Sequence, residues 1–128
     1  MDQTIAVLRR VSRLLDTSLA YPETCYQTLI MKLLERQGLT VHKEVTCNYY
    51  VEKIRFGYGR IDLLVTTNDQ IIIIELKANT NKKTQALNQL KRYMKHYKSY
   101  KQVQGILAMY NANTPCNIVK VRVLCGRN

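Results

Sequence analysis

After Glu75 the sequence contains no acidic residue. All nine Asp and Glu of the 128 residues lie at or before that position, where nine Lys and Arg balance them. Residues 76–128 carry the other eleven Lys and Arg, so the whole net charge of +11 belongs to the C-terminal part. A one-signed block of this kind favours a polyanionic partner, most simply nucleic acid, over a merely solvated basic surface. Tryptophan is absent and Phe56 is the single phenylalanine. No basic amphipathic helix therefore carries the aromatic anchors of a membrane-surface binder. No run of 18 apolar residues exists, which excludes a transmembrane helix. The N-terminal Met1-Asp2-Gln3 lacks the basic region and apolar block of a secretory signal. The expectation is an intracellular protein, of cytoplasm or nucleus, not a secreted one.

Cysteine is sparse and unpatterned. Cys25, Cys47, Cys116 and Cys125 show no CxxC spacing, and His42 and His96 are the only histidines. A zinc site is poorly supported. The four read as reduced thiols, with a Cys116–Cys125 bridge as the alternative. Proline occurs only at 22 and 115, and there are no repeats, linkers or low-complexity tracts. The length points to a single domain, 1–128, large enough to build a core without staples.

Apolar residues at 5, 8, 11, 15 and 19 predict an amphipathic helix over 3–19. Pro22 suits the first position of a second helix, striped by Tyr26, Leu29, Ile30, Leu33 and Leu34 and stopped by Gly38. Residues 41–50 and 53–57 read as strands, with Gly57 and Gly59 as punctuation before a further strand, 61–65. Four consecutive isoleucines, 71–74, read as a strand covered on both faces. A third helix spans about 82–100, capped by Asn81, with Leu87, Leu90, Met94 and Tyr97 inward and its other faces basic. Residues 105–110 read as a buried strand and 118–124 as a half-exposed edge strand. The order implies an α/β sandwich, with helices flanking a central mixed sheet.

The isoleucine strand ends in Glu75-Leu76-Lys77. A buried strand does not end in a carboxylate and an ammonium unless charge is needed there. Glu75 and Lys77 share a face. If Asn68-Asp69 form a two-residue turn, Thr67 pairs with Gln70 and Asp62 stands opposite Glu75. Facing carboxylates repel; a divalent cation between them resolves the conflict. A one-residue slip in register would separate them.

These residues resemble the PD-(D/E)XK nuclease superfamily: Asp62, then Glu75-Leu76-Lys77 after a hydrophobic strand, then a helix bearing Gln89 and Tyr93. The last pair matches the QxxxY element of RecB-like nucleases. The N-terminal half is most similar to the GxxExxY group, with Glu23 and Tyr26 as its ExxY and Ala20 in place of its glycine. Isoleucine, not proline, precedes Asp62. The resemblance implies a restriction-endonuclease-like α/β sandwich and a Mg²⁺- or Mn²⁺-dependent nuclease. Asp62, Glu75 and the Leu76 carbonyl would hold the metal, and Glu23 would reach it directly or through water. Lys77 would orient water or offset transition-state charge. Gln89 and Tyr93 would position the lysine, a water or the phosphate. DNA is favoured over RNA as the substrate.

Arg60 lies two residues before Asp62 and is a candidate phosphate contact. Lys82, Lys83, Lys91, Arg92, Lys95 and Lys98 would hold the backbone. Phosphate contacts carry no sequence information, so structure or end recognition is expected rather than site-specific cutting. A homodimer is compatible with so small a chain, though no stripe identifies an interface.

Each residue also has a plainer reading. Glu75 and Lys77 could form an exposed ion pair, Asp62 a turn acid, and Glu23 a charge favouring its helix N-terminus. Gln89 is an ordinary helix residue. Tyr93 could be peripheral core, and Tyr49, Tyr50, Tyr97 and Tyr100 packing residues; Tyr58, between glycines, is the best candidate for base stacking. A catalytically silent nucleic-acid-binding module of the same fold is the second functional reading. A structural oligomer whose charge only maintains solubility is the third.

Overall fold

The structure, a computed structural model, describes residues 2–68, 70–78, 82–99, 102–111 and 116–123. Helix α1 runs Asp2–Leu14 and α2 Glu23–Arg36. Strands β1 (Thr40–Val51), β2 (Ile54–Thr66) and β3 (Gln70–Lys77) follow, then α3 (Lys83–His96), β4 (Gln102–Met109) and β5 (Asn117–Val123). The sheet order is β1-β2-β3-β4-β5. All neighbours are antiparallel except β3 and β4, which are parallel and joined through α3. The expected mixed α/β sandwich is therefore observed.

The isoleucine run shows why the sheet is covered twice. Ile72 and Ile74 join a core cluster with α1 and α2, while Ile71 and Ile73 join a second cluster with α3. Each buried side chain of this size contributes about 1.5–3 kcal/mol relative to exposure. On the first face Tyr26 stacks on Tyr110 at 4.6 Å, and the Tyr110 hydroxyl donates to the Leu8 carbonyl at 2.7 Å. On the second face α3 presses on bare backbone: a Cβ at Gly105 would meet Met94 Sδ at 2.6 Å.

Several boundaries depart from the sequence reading. The first helix stops at Leu14, short of 19. Asp16 instead caps a single 3₁₀ turn, Thr17–Leu19, accepting the Ser18 N–H at 3.0 Å, and Leu19 is exposed. Short polar side chains compete with the helix for backbone groups. Pro22 sits just before α2 rather than inside it. Gly38, with φ of +85°, follows α2 as expected. The third helix covers 83–96; Asn81 lies outside the described residues. Its buried face is Ala86, Leu90, Tyr93 and Met94, with Leu87 and Tyr97 only half-buried. Cys25, Cys47 and Cys116 are free thiols, and Cys125 lies outside the described residues.

Gly57 and Gly59 do not punctuate; both lie inside β2. A Cβ at Gly59 would stand 2.6 Å from the Tyr49 hydroxyl and 2.7 Å from the Tyr93 ring. The glycine there permits close approach rather than a turn. The reversal occurs at Glu52-Lys53, between paired Val51 and Ile54, with φ of +49° and +66°. Positive φ at both central residues is the two-residue hairpin geometry that matches strand twist.

One irregularity positions the site. Val41 packs with the α1/α2 cluster, yet Val45, Cys47 and Tyr49 pack with the α3 cluster. Strict alternation forbids that. The change of face falls at Glu44, whose φ is +55° and whose pair with Asp62 is missing from the β1–β2 ladder between Lys43↔Leu63 and Val45↔Ile61, the register on either side being the same. On β2 the same change separates Ile61 from Leu63 and Val65, with Asp62 at its centre.

Candidate active site

Backbone pairing of β2 with β3 begins beside the turn, where the Thr67 N–H donates to the Gln70 carbonyl at 3.0 Å. It continues from Thr66↔Ile71 to Leu63↔Ile74. This is the register expected from the two-residue turn, and one step further brings Asp62 to Glu75. There carboxylates replace the ladder. The Leu76 N–H donates to Asp62 Oδ2 at 2.8 Å, and the Asp62 N–H donates to Glu75 Oε1 at 3.3 Å. Each acid thus seals a backbone donor of the opposite strand where the strands part.

The electrostatics follow from this placement. Glu75 is only 2 % exposed. Burial, reinforced by the charge of Asp62, pushes its carboxyl up to about 8. Asp62 is also raised, chiefly by burial, against the opposing effects of the Leu76 N–H and the Lys77 ammonium. The two acids cannot both ionise cheaply so close together. Lys77 favours the charged form of both. It is half-buried on the strand face that Glu75 occupies.

Glu23 enters from the first turn of α2. Its Oε2 accepts the Ala78 N–H at 3.0 Å, tying the helix to the end of β3. Glu23, Thr24, Gln27, Glu44, Arg60, Asp62 and Leu76 line one cavity of about 170 Å³. Arg60 lines the cavity with Asp62, and its guanidinium approaches Glu44 at 3.7 Å.

Gln89 and Tyr93 act together on the backbone of β2. Gln89 Nε2 donates to the Tyr93 hydroxyl at 2.7 Å, which donates to the Arg60 carbonyl at 2.9 Å. Tyr93 is 0 % exposed, and burial raises its hydroxyl far above the usual range, so it remains a donor. The pair fixes the main chain of β2 just before Asp62.

Two participants escaped the sequence reading. Buried Gln27 donates to the Asp62 carbonyl at 2.8 Å. Its spacing of one helical turn from Glu23 was the available signal. Glu44, an acid inside a strand otherwise rich in Val, Thr and Tyr, marks the change of face. The remaining basic candidates, Lys82, Lys83, Lys91, Arg92, Lys95 and Lys98, are all exposed on or beside α3.

Among the described residues, no three His, Cys, Asp or Glu side chains are grouped to hold a metal. Glu23 lines the cavity with Asp62 but does not form such a group with Asp62 and Glu75. The remaining donors are two close carboxylates and the Leu76 carbonyl, all hard oxygens. Mg²⁺ is commonly held by one or two carboxylates while retaining several waters, so this set fits it.

The arrangement of two acids and a lysine at parted strand ends agrees with a direct comparison. A model of the PD-(D/E)XK nuclease superfamily matches residues 1–120. The chain belongs to this superfamily. Membership makes nuclease chemistry the family-level expectation for the site. Among solved structures, the fold resembles that titled "Crystal structure of SSO0001", with a TM-score of 0.54 and 18 % identity. The likeness covers 83 % of this chain and 52 % of that one, so this chain spans about half the length of that structure. At this identity the likeness concerns the fold alone. No curated protein matches the sequence. No helix is long and apolar enough to cross a membrane among the described residues.

Proposed function

We propose that the chain is a Mg²⁺- or Mn²⁺-dependent deoxyribonuclease of the GxxExxY or RecB-like group, recognising DNA structure or ends rather than sequence. One observation carries the reading: Asp62 and Glu75, both with raised carboxyls, converge where β2 and β3 part, with Lys77 beside them. Leaving two acids in so dry a place is unfavourable for the isolated fold and is typical of a functional site. A divalent ion held by Asp62, Glu75 and the Leu76 carbonyl would polarise the phosphodiester and acidify a bound water.

The chain's own side chains supply the rest. Lys77 offsets negative charge that develops on the phosphate oxygens. Arg60, on the cavity wall, meets a neighbouring phosphate in this reading, and Glu23 and Gln27 fix the walls of the cavity. Gln89 and Tyr93 hold the β2 backbone so that Asp62 keeps its position. The lysines and arginine of α3 supply sequence-independent affinity for the backbone.

The test is cleavage of duplex, single-stranded and branched DNA, and of RNA, with Mg²⁺ or Mn²⁺, beside Glu75→Ala prepared identically. Metal-dependent cutting of DNA that disappears in the variant is the expected result. Equal traces from both proteins, with binding retained, would favour a silent binding module instead. Neutralising Lys91, Arg92 and Lys95 together should weaken DNA binding and flatten its salt dependence; unchanged affinity would remove α3 from the interface.

A further inference from the structure

Beyond Tyr49 the β1–β2 hairpin projects as an arm whose large side chains have no core to enter. Tyr50 is 57 % exposed and Phe56 65 %. Val51, Ile54 and Tyr58 are exposed on the same arm. Large apolar side chains exposed so close together in the sequence mark a candidate interaction site.

The backbone is built to present it. Tyr49 pairs with Gly57 and Tyr50 with Arg55, so Phe56 is an extra residue in a β-bulge. Bulges re-aim a side chain. Phe56 is thereby brought to Tyr49, ring centroids 6.1 Å apart, at the wall of a groove of about 430 Å³. The opposite wall is the C-terminal half of α3 and the turn after it, which contribute Arg92, Lys95, His96 and Lys98. The Arg92 guanidinium lies over the Tyr49 ring at 6.0 Å. Among the described residues, no acid lines the groove.

We propose that this groove binds an unpaired strand of DNA, its bases stacking on Phe56 and Tyr50 and its phosphates meeting Arg92, Lys95 and Lys98. Aromatic faces beside a basic track are the chemistry of single-strand binding, and stacking is indifferent to sequence. A duplex offers its phosphates to the lysines but leaves the rings without a base to stack on. A second copy of the chain would set one acid-free basic groove against another, with like charges opposed. The groove and the acid cavity share no lining residue, but Tyr49 and buried Tyr93 link their walls. Tyr49 reaches from the groove wall to Gly59, which Tyr93 also crowds, and the Tyr93 hydroxyl donates to the Arg60 carbonyl. Along β2, Phe56 stands six residues before Asp62, about 20 Å of extended chain. The proposal rests on the nuclease reading for the fate of the strand but not for its binding.

Because the chain lacks tryptophan, Phe56→Trp creates a single fluorescent reporter in the groove. Titration with an oligothymidylate in EDTA, where metal-dependent cleavage is suppressed, should quench it. A blunt DNA hairpin at equal phosphate concentration should quench it far less. In the wild-type background, Tyr50→Ala with Phe56→Ala should weaken oligothymidylate binding about 10-fold or more and duplex binding less than about twofold. Both positions are exposed, so melting temperature should not change and the loss cannot be ascribed to unfolding. Absence of quenching, equal quenching by the duplex, or unchanged single-strand affinity in the double variant would overturn the proposal. Preference for oligouridylate over oligothymidylate would overturn the assignment to DNA. Quenching by oligothymidylate in a protein that fails to cleave any DNA would sink the nuclease reading while supporting the groove.

Discussion

The two halves of β2 follow opposite rules. From Leu63 to Thr66 it pairs regularly with β3, and Leu63, Leu64 and Val65 are buried in the cores. From Ile54 to Arg60 it pairs with β1 alone, contains two glycines and a bulge, and exposes its aromatic residues. The first half is specified by burial, the second by what must lie over or against it. Asp62 sits at the join, where the ladder fails and side-chain carboxylates seal the strands. The lesson is that the site occupies the place where the packing pattern breaks, a common location for chemistry because side chains there escape the core.

The largest way to break this comparison is at the join. Asp62→Ala should reduce metal-dependent cleavage by about 10³-fold or more, and Lys77→Ala by about 10²–10³-fold with metal affinity nearly unchanged. Single-turnover rates against metal concentration separate the two effects. Unchanged turnover in Lys77→Ala would remove the lysine from the mechanism.

A second test concerns stability without metal. The Glu75 carboxyl is raised in the folded chain to about 8, above its unfolded value. Between the ordinary carboxylate range and about 8, the folded state therefore holds more protons than the unfolded state. Stability in EDTA should be greatest at low pH within this window and should fall as pH rises through it, by a few kcal/mol at most. Glu75→Gln should flatten that fall and be the more stable protein at pH 8. Thermal melts across pH 5–8 check this; a wild-type curve that rises with pH would refute the account of Glu75.

The exposed half gives smaller effects. Gly59→Ala should cost about 1–3 kcal/mol, because its Cβ collides with Tyr49 and Tyr93. Gly57→Ala meets only Tyr49 at 3.5 Å, and should be close to neutral. Equal urea midpoints for the two variants would show that Tyr93 does not clamp β2. The smallest effect lies at the tip. Replacing Glu52-Lys53 by Asn-Gly should stabilise the hairpin by about 0.5–1 kcal/mol, since both positions hold positive φ. A lower melting temperature would contradict the turn geometry.

How much was legible in the sequence varied with how local the cause was. The isoleucine run and the turn at residue 68 fixed a register, and with it the approach of Asp62 to Glu75. The stripe of α2 and the stop at Gly38 were equally local. Gly57 and Gly59 were misread because glycine as punctuation and glycine as clearance are the same letter; the difference lies in Tyr93, over thirty residues away. Tyr93 itself belonged to the QxxxY pattern, but its target, the Arg60 carbonyl, is a backbone atom of no particular sequence. Tyr50 was read as packing because nothing local announces the bulge at Phe56 that turns the arm outward.

The sequence by itself thus determined the element order, the charge imbalance, the acid–acid–lysine spacing and the register that brings the acids together. Each depends on periodicity or on neighbours a few residues apart. Only the tertiary structure decided that the sheet changes face at Glu44 and Asp62, that Gln27 and Tyr93 hold the β2 backbone, and that an aromatic arm faces the basic side of α3. Those outcomes depend on contacts between distant segments, where the space left by one side chain determines what another can do.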